Sequence, residues 1–173
     1  TRQFLGNGLT YINATPVQVA RAYAGLATGH LPTMTLVREV KGEEIPRTTT
    51  ALPISKENLD LVRGAVRQVV KDPGSSAHGK GLSASAEDLG FEFTCKTGSA
   101  DYREEKVLRN GVEREVQRKH TWVSGWFPHE DPRYVLTVLC HDTTATASHS
   151  AVYVAAQFLK TEAGKELMGV KAQ

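Results

Sequence analysis

A turn signal between two strand-like runs constrains this sequence most. The dipeptide Asn110-Gly111 lies at the centre of a densely charged stretch, 101–119. Asn-Gly favours the left-handed backbone of a two-residue hairpin turn, so it predicts two antiparallel strands joined tightly. We interpret the charged stretch as a solvent-exposed ribbon that extends a sheet beyond its core, with a docking surface for another protein as the alternative.

The runs on either side of the ribbon predict a three-stranded antiparallel meander. The predicted strands are Phe91–Cys95, Thr121–Phe127 and Tyr134–Cys140. Because side chains alternate along a strand, Phe91, Phe93 and Cys95 share one face, and Lys96 and Gly98 fall on the other. The third run is apolar on both faces, which predicts the more interior strand with helices packed on both sides.

Three helices are predicted around this sheet. The first spans 15–29, with threonine at its start and glycine at its end, and its several apolar faces predict burial. The second begins at the cap Ser55 and ends at Asp72-Pro73-Gly74, and the third runs over about 148–168.

The remaining segments predict less regular structure. A short strand is predicted over 34–40, a connection over 41–53 and a surface loop over 74–90. Three polar residues of that loop look catalytic by type: Ser75, Ser76 and His78. We interpret them as ordinary loop residues, since a serine without a placed base is not activated.

Composition limits the classes of partner. The chain has 173 residues, 40% of them apolar and 23% charged, with a net charge of +2, which fits one soluble globular core and argues against nucleic-acid or polybasic membrane binding. The sequence shows neither a membrane-span pattern nor a signal-peptide pattern, although whatever precedes Thr1 could be anchored. Cys95 and Cys140 lack metal-ligand spacing and are expected to be buried free thiols, so we predict no metal and no cofactor.

The strongest chemical signal is Lys96-Thr97-Gly98 followed by Ser99. At a strand end, a glycine lets a ligand approach the backbone, and flanking hydroxyls beside a lysine can meet a carboxylate. The alternative is a strand that ends in a polar turn with Lys96 in solvent.

Several segments together resemble class B penicillin-binding proteins, with the likeness strongest to the cell-elongation branch of that family. The matching segments, in family order and spacing, are Gly6-Asn7-Gly8, Thr15–Ala24, Lys96–Ala100, His120–Trp122 and Gly125–Pro128. The resemblance implies an α+β fold, the C-terminal portion of the penicillin-binding transpeptidase and serine β-lactamase-like fold.

In that fold, 1–173 is expected to be the C-terminal part of a single transpeptidase domain. The resemblance implies a mainly helical part over 1–90 and an antiparallel sheet over 91–141. The charged hairpin at 101–119 belongs to that sheet, and the C-terminal helix follows at 148–168.

The resemblance also implies a D,D-transpeptidase that acts on the D-Ala-D-Ala end of peptidoglycan stem peptides. Lys96 would supply positive potential, Thr97 and Ser99 hydroxyls would bind the substrate carboxylate beside Gly98, and the Ser99 N–H would be an oxyanion donor. β-Lactams would use the same contacts. The expected setting is the bacterial cell envelope, on the periplasmic side of the inner membrane, with cell-elongation proteins as partners.

The nucleophile is missing from these 173 residues. No serine is followed three positions later by lysine, or two positions later by asparagine, so both elements are expected upstream of Thr1, in the other half of the domain. The isolated chain is therefore expected to be inactive. Two alternatives remain: a β-lactam-sensing receptor or β-lactamase fragment, and a non-catalytic interaction module.

The sequence departs from the family pattern at Asn7, Ser99 and Asp101. Ser99 keeps the hydroxyl that a threonine would supply. Asp101 could repel a bound carboxylate if it pointed inward, and we expect it to point outward. His120 and Trp122 are interpreted as structural residues of a strand.

Overall fold

The computed structural model of the chain describes residues 13–78, 82, 92–144, 146 and 148–167. It confirms an α+β fold with a three-stranded antiparallel sheet and helices against it. The elements, renumbered in chain order, are α1 (Pro16–Thr28), β1 (His30–Pro32), β2 (Glu39–Val40), β3 (Glu43–Glu44), β4 (Thr49–Ala51), α2 (Lys56–Lys71), β5 (Thr94–Arg109), β6 (Val112–Phe127), β7 (Tyr134–Thr143), α3 (Ala151–Lys160) and α4 (Glu162–Leu167).

The hairpin prediction is confirmed. Strands β5 and β6 are each 16 residues long, and they pair antiparallel from Thr94↔Trp126 to Arg109↔Val112. The turn residues Asn110 and Gly111 have φ of 54° and 77°, the left-handed pair that such a turn requires. The ribbon and the core sheet are therefore one continuous pair of strands.

The sheet order is β5-β6-β7, so the prediction that the third run is the more interior strand is wrong. The middle strand is β6, because the tight turn fixes β5 on one side of it and β7 adds on the other. Strand β7 is apolar on both faces for a different reason: α1 and α3 both contact it. The apolar residues on both faces of β7 correctly indicated that helices cover both faces. They did not indicate the position of the strand within the sheet.

The two faces of β6 carry different contacts. Val123 and Phe127 belong to the main core with Ala155 and Leu159 of α3. Trp126 points the other way, with its ring 6.4 Å from that of Tyr23 on α1. Helices therefore lie on both faces of the sheet, as the sequence predicted.

The main core lies between α3, the end of α2 and one face of the sheet. Its buried members are Val70, Ala77, Leu82, Phe93, Cys95, Val123, Phe127, Ala151, Val152, Ala155, Ala156 and Leu159. Both cysteines are free thiols, as predicted, and Cys95 is fully buried whereas Cys140 is half-buried. Burial raises the pKa of the Cys95 thiol to about 12.

The first two helices begin and end where the sequence predicted. Thr15 caps α1 with a reciprocal capping box to Gln18, and Gly29 ends it at φ 78° with its N–H bonded to Gly25 O at 2.7 Å. Ser55 caps α2, which ends at Asp72. The predicted burial of α1 is wrong, since Gly25 and Ala27 are its only buried residues.

Two other segments differ from the sequence predictions. Over 34–40, the predicted strand is limited to its last two residues, and the predicted connection over 41–53 contains two short strands that pair locally. The C-terminal helix begins after Ser150 and is broken at Thr161, where a side-chain oxygen accepts the Gly164 N–H at 3.1 Å. A threonine that caps a new turn ends one helix and begins another.

Some predictions fall outside the described residues: those on Gly6-Asn7-Gly8, on Phe91 and on most of 79–90. Among the helices that are described, none is both long and apolar enough to cross a membrane.

Gly125 is the tightest backbone contact of the central strand. A Cβ added there would lie 2.1 Å from the Thr94 carbonyl oxygen and 2.5 Å from Cys95 Cβ. In contrast, a Cβ added at Gly64, in the middle of α2, would meet nothing within 4 Å. Strand β6 therefore approaches β5 at a point where no side chain fits.

We predict that Gly125→Ala destabilises the fold by about 1–3 kcal/mol, because strands β5 and β6 would have to separate locally. The matched control Gly64→Ala should stabilise it by about 0.5–1 kcal/mol through lower backbone entropy of the unfolded chain. Urea denaturation of both variants measures the two free energies of unfolding. Equal effects at the two positions would contradict the strand contact.

Candidate functional site

The Lys96–Ser99 segment lies in the first third of β5, just after the buried residues Phe93 and Cys95. Register pairs Thr97 with Val123 and Ser99 with Thr121, so the two hydroxyls share the core-side face, and Lys96 falls on the opposite face. Burial of the preceding residues fixes the strand, and the polar residues follow at its exposed part.

Two contacts indicate which main-chain groups of β5 face away from β6. Lys96 Nζ donates to the Thr97 carbonyl at 2.8 Å, so this oxygen is reachable from outside the ladder. The Thr94 carbonyl, by contrast, points at Gly125 of β6. Residues of an antiparallel strand alternate between directing both polar groups at the partner and directing both away. The main-chain groups of Thr97 and Ser99 therefore face outward.

No strand pairs with the outer side of β5 within the part of the chain that is described. This side, which we call the open edge, brings together the Ser99 N–H, the Thr97 carbonyl, the Lys96 ammonium and the hydroxyls of Thr97 and Ser99. A ligand with a carboxylate meets donors and a positive charge there. At Gly98, an added Cβ would come no closer than 3.6 Å, to Trp122 Cβ, so the described residues leave that position open.

A third hydroxyl joins this group from the loop after α2. Ser76 Oγ lies 2.6 Å from Thr97 Oγ1, and Ser76 is exposed. Its neighbours act differently: Ser75 Oγ donates to Val69 O, and the His78 ring lies 2.8 Å from Val70 O. These two side chains bond the last turn of α2, so of the three loop residues that look catalytic by type, Ser76 is the one placed at the site.

The start of β5 is held by a buried hydrogen bond. Thr94 Oγ1 lies 2.6 Å from Nδ1 of His129, and both residues are buried. Arg63 of α2 donates to the His129 carbonyl at 3.1 Å. Desolvation lowers the pKa of His129, which favours the neutral ring in this contact. The segment before the site is thereby tied to α2 and to the turn after β6.

An ion cluster reinforces the same connection. Arg67 donates to the Glu92 carboxylate through Nε and through Nη2, the latter at 2.6 Å. Lys71 Nζ lies 3.3 Å from the same carboxylate. The Arg67 hydrogen bonds lower the pKa of Glu92, so the carboxylate stays charged. Glu92 lies two residues before the first residue of β5, Thr94, so this cluster helps fix where the strand begins.

Above the site, three rings stack where the core sheet becomes the ribbon. The ring centroids of Tyr102 and His120 are 4.3 Å apart, as are those of His120 and His141. His120 Nδ1 accepts the Asp142 N–H at 3.2 Å. Pairing shifts register at this level in both ladders, so the rings fill the irregularity. His120 therefore has structural contacts, as the sequence interpretation expected.

Asp142 joins the strands at this junction. Its carboxylate accepts from Arg103 at 2.8 Å and from Arg118 at 3.0 Å, and its own φ is 53°. These hydrogen bonds lower the pKa of Asp142 to about 2, from an ordinary value of 3.8. One carboxylate thus bridges an arginine of β5 and an arginine of β6.

The negative charge of Asp101 is paired with a lysine, which weakens its repulsion of an anion at the open edge. Its carboxylate lies 3.0 Å from Lys119 Nζ, and its side chain is 69% exposed. This agrees with the expectation that it points outward. In the described part of the chain, no cluster of histidine, cysteine and acidic residues could hold a metal ion.

Sequence reasoning set Ser76 aside as an ordinary loop residue and missed Asp142. A serine 21 positions before Thr97 carries no spacing signal, because only the loop path brings the two together. One signal was available for Asp142. Arg103 and Arg118 lie at similar distances on either side of the Asn-Gly turn, so the two arginines could have been predicted to face each other across the hairpin.

A family comparison agrees with this fold. The model of the penicillin binding protein transpeptidase domain matches residues 3–160, so the chain belongs to that family.

The chain is also similar to individual proteins. The chain is 27% identical over 154 residues to the peptidoglycan D,D-transpeptidase MrdA of Haemophilus influenzae, across 85% of this chain and 23% of that protein. A crystal structure of Pseudomonas aeruginosa PBP2 in complex with WCK 5153 superposes with a TM-score of 0.68 at 21% identity, over 93% of this chain and 34% of that one.

A third similar structure is penicillin-binding protein A from M. tuberculosis as a ceftriaxone acyl-enzyme complex, with a TM-score of 0.57 and 19% identity over 96% of this chain and 34% of that one. The chain thus spans about a quarter to a third of the length of these three proteins.

We predict that Asp142→Asn destabilises the fold at neutral pH and that this difference shrinks as pH falls. Because the pKa of Asp142 is lower in the folded state, its charge stabilises the fold at pH values above the unfolded-state pKa of 3.8. This stabilisation is lost as the pH falls toward the folded-state pKa of about 2. Asparagine tolerates the left-handed backbone, so charge is the main change.

Denaturation of the wild type and of Asp142→Asn, measured across this acid range, gives the difference. Asp131→Asn is the matched control, because its carboxylate has one exposed partner, Arg133, at 3.0 Å. A destabilisation by Asp142→Asn that did not change with pH would contradict the role of its charge.

Proposed function

We propose that this chain forms the carboxylate-binding and oxyanion part of a peptidoglycan D,D-transpeptidase. The observation that carries the proposal is the open edge, where the Lys96 ammonium contacts the Thr97 carbonyl and the Ser99 N–H faces outward on a strand that also carries the Thr97 and Ser99 hydroxyls. Membership of the transpeptidase family and the likeness to MrdA support the assignment to this reaction.

The proposed reaction has two steps. A serine Oγ attacks the carbonyl carbon between the two D-Ala residues, the C–N bond breaks, and the terminal D-Ala leaves as an amine. An amine of a neighbouring stem peptide then attacks the serine ester, which forms the cross-link and releases the serine. The serine and its lysine partner come from residues outside these 173, since the sequence contains no serine with a lysine three positions later.

Most groups at the open edge have a role in this scheme. The terminal carboxylate of the donor peptide accepts hydrogen bonds from the hydroxyls of Thr97 and Ser99. Lys96 adds positive potential, and Gly98 leaves room for the ligand backbone. The Ser99 N–H points outward and donates to the oxyanion, a contact of the type worth about 2.7–4 kcal/mol in the transition state.

The same arrangement accepts a β-lactam, whose carboxylate stands in for that of the terminal D-Ala. The ceftriaxone complex of the mycobacterial structure supports this extension. As a peptidoglycan enzyme, the protein is assigned to the cell envelope, on the periplasmic side of the inner membrane. Proteins of cell elongation are its proposed partners, and 1–173 is the C-terminal part of its single transpeptidase domain.

We predict that Thr97→Val slows acylation of the complete transpeptidase by a fluorescent penicillin about 10- to 100-fold, because a hydrogen bond to a charged group is lost. Gel fluorescence over time gives the second-order rate constant. Thr48→Val is the matched control: its hydroxyl lies 2.7 Å from that of Thr33, next to the separate small sheet of β1 and β4, and its rate should equal that of the wild type.

The 173-residue chain alone should form no covalent adduct with the same penicillin. An adduct on this chain alone would show that the nucleophile lies within it. Rapid release of hydrolysed product by the complete protein would favour a β-lactamase, and failure of the folded complete protein to react would favour an interaction module.

A further inference from the structure

Ser76 is a group at the open edge that neither the family motif nor the proposed reaction uses. Its hydroxyl lies 2.6 Å from that of Thr97, across 21 residues of sequence. Both residues lie at the exposed part of the site, where Ser76 is exposed and Thr97 is half-buried. The contact therefore occurs where a ligand carboxylate would approach.

The loop that carries Ser76 is fixed on both sides of it. Ala77 is fully buried in the core, and the flanking Ser75 and His78 bond the carbonyls of Val69 and Val70 at the end of α2. A buried side chain and two bonds to a helix end leave the intervening residue little freedom. Ser76 is thus presented to β5 as part of the rigid structure.

The turn that starts this loop is also bonded. The Asp72 side chain accepts the Gly74 N–H at 2.8 Å, and the Asp72 carbonyl accepts the Ser75 N–H at 2.9 Å. These hydrogen bonds fix the turn between the C-terminus of α2 and Ser76. The position of the Ser76 hydroxyl therefore follows from that of α2.

Either hydroxyl could be the donor in this contact. Each hydroxyl has one proton to donate and can accept through its lone pairs. If Ser76 donates to Thr97 Oγ1, the Thr97 proton is directed away from Ser76 and is free for a ligand. Linked hydrogen bonds polarise one another, so a Thr97 that accepts from Ser76 is the better donor to a carboxylate.

We infer that Ser76 is a positioning residue of the carboxylate site, which donates to Thr97 and so aims the Thr97 proton at the carboxylate of a stem peptide or β-lactam. This role rests on the proposed function. Ser76 acts through Thr97 and touches no reacting atom. A purely structural role fits less well, because a hydrogen bond between exposed hydroxyls stabilises a fold little.

The test uses the complete transpeptidase and two probes, a fluorescent penicillin with a free carboxylate and the methyl ester of the same compound. In each sample, the ratio of the two acylation rates is independent of how much protein is folded. Ser76→Ala should lower the rate with the free acid about 2- to 10-fold and leave the rate with the ester unchanged. The conservative Ser76→Thr should restore most of the loss.

Coupling to Thr97 is the second arm. If Ser76 acts through the Thr97 hydroxyl, the double variant Ser76→Ala/Thr97→Val should react no more slowly than Thr97→Val alone. Ser75→Ala is the matched loop control, because its hydroxyl bonds Val69 O, and its acid-to-ester ratio should equal that of the wild type.

Two results would overturn the role: equal slowing with acid and ester in Ser76→Ala, or additive losses in the double variant. A wild-type protein that reacts with neither probe would instead overturn the proposed function, and the role of Ser76 with it. The two failures are therefore distinct, since the first requires an active wild type.

Discussion

The pairing of β5 with β6 is the constraint on which the rest of the structure depends. The Asn110-Gly111 turn sets this register, and the register decides which side chains and main-chain groups of the Lys96–Ser99 segment reach each side. A slip of one residue would exchange the faces of Lys96 and Thr97 and would turn the Ser99 N–H toward β6. Phe93 and Cys95 oppose such a slip, because it would move both out of the core.

The candidate site is therefore a set of polar groups held in place by buried apolar residues. Residues before it on the same strand are fully buried, and the loop that adds Ser76 is held by a buried alanine. Contacts with α2 tie both ends together, through His129 on one side and Ser75 on the other. Several weak groups can act at one edge because these supports fix their relative positions.

The sequence predicted those parts of the fold that local signals determine. Caps at Thr15 and Ser55, and the turn at Asn110-Gly111, specify their own geometry, and each lies where it was predicted. Strand order is not local: β7 is apolar on both faces because helices cover it, although it lies beside the middle strand. Within the sheet, apolar content and position are separate properties.

The candidate site also has one part that local sequence predicts and another part that only the structure brings together. The motif itself could be found in sequence, because its four residues are consecutive and alternate across a strand. Ser76 and Asp142 could not, since each meets its partners through a loop path or across a ladder. Residue type alone does not separate Ser76 from Ser75, or Asp142 from other strand aspartates, without those distances.

The lysine that folds back on Thr97 has a consequence for self-association. An open strand edge is a template for pairing with another chain, and lysine on such an edge discourages strand addition. Here the ammonium covers the Thr97 carbonyl, one of the acceptors that a foreign strand would need. The side chain that we propose attracts a carboxylate thus also discourages aggregation at the unliganded edge.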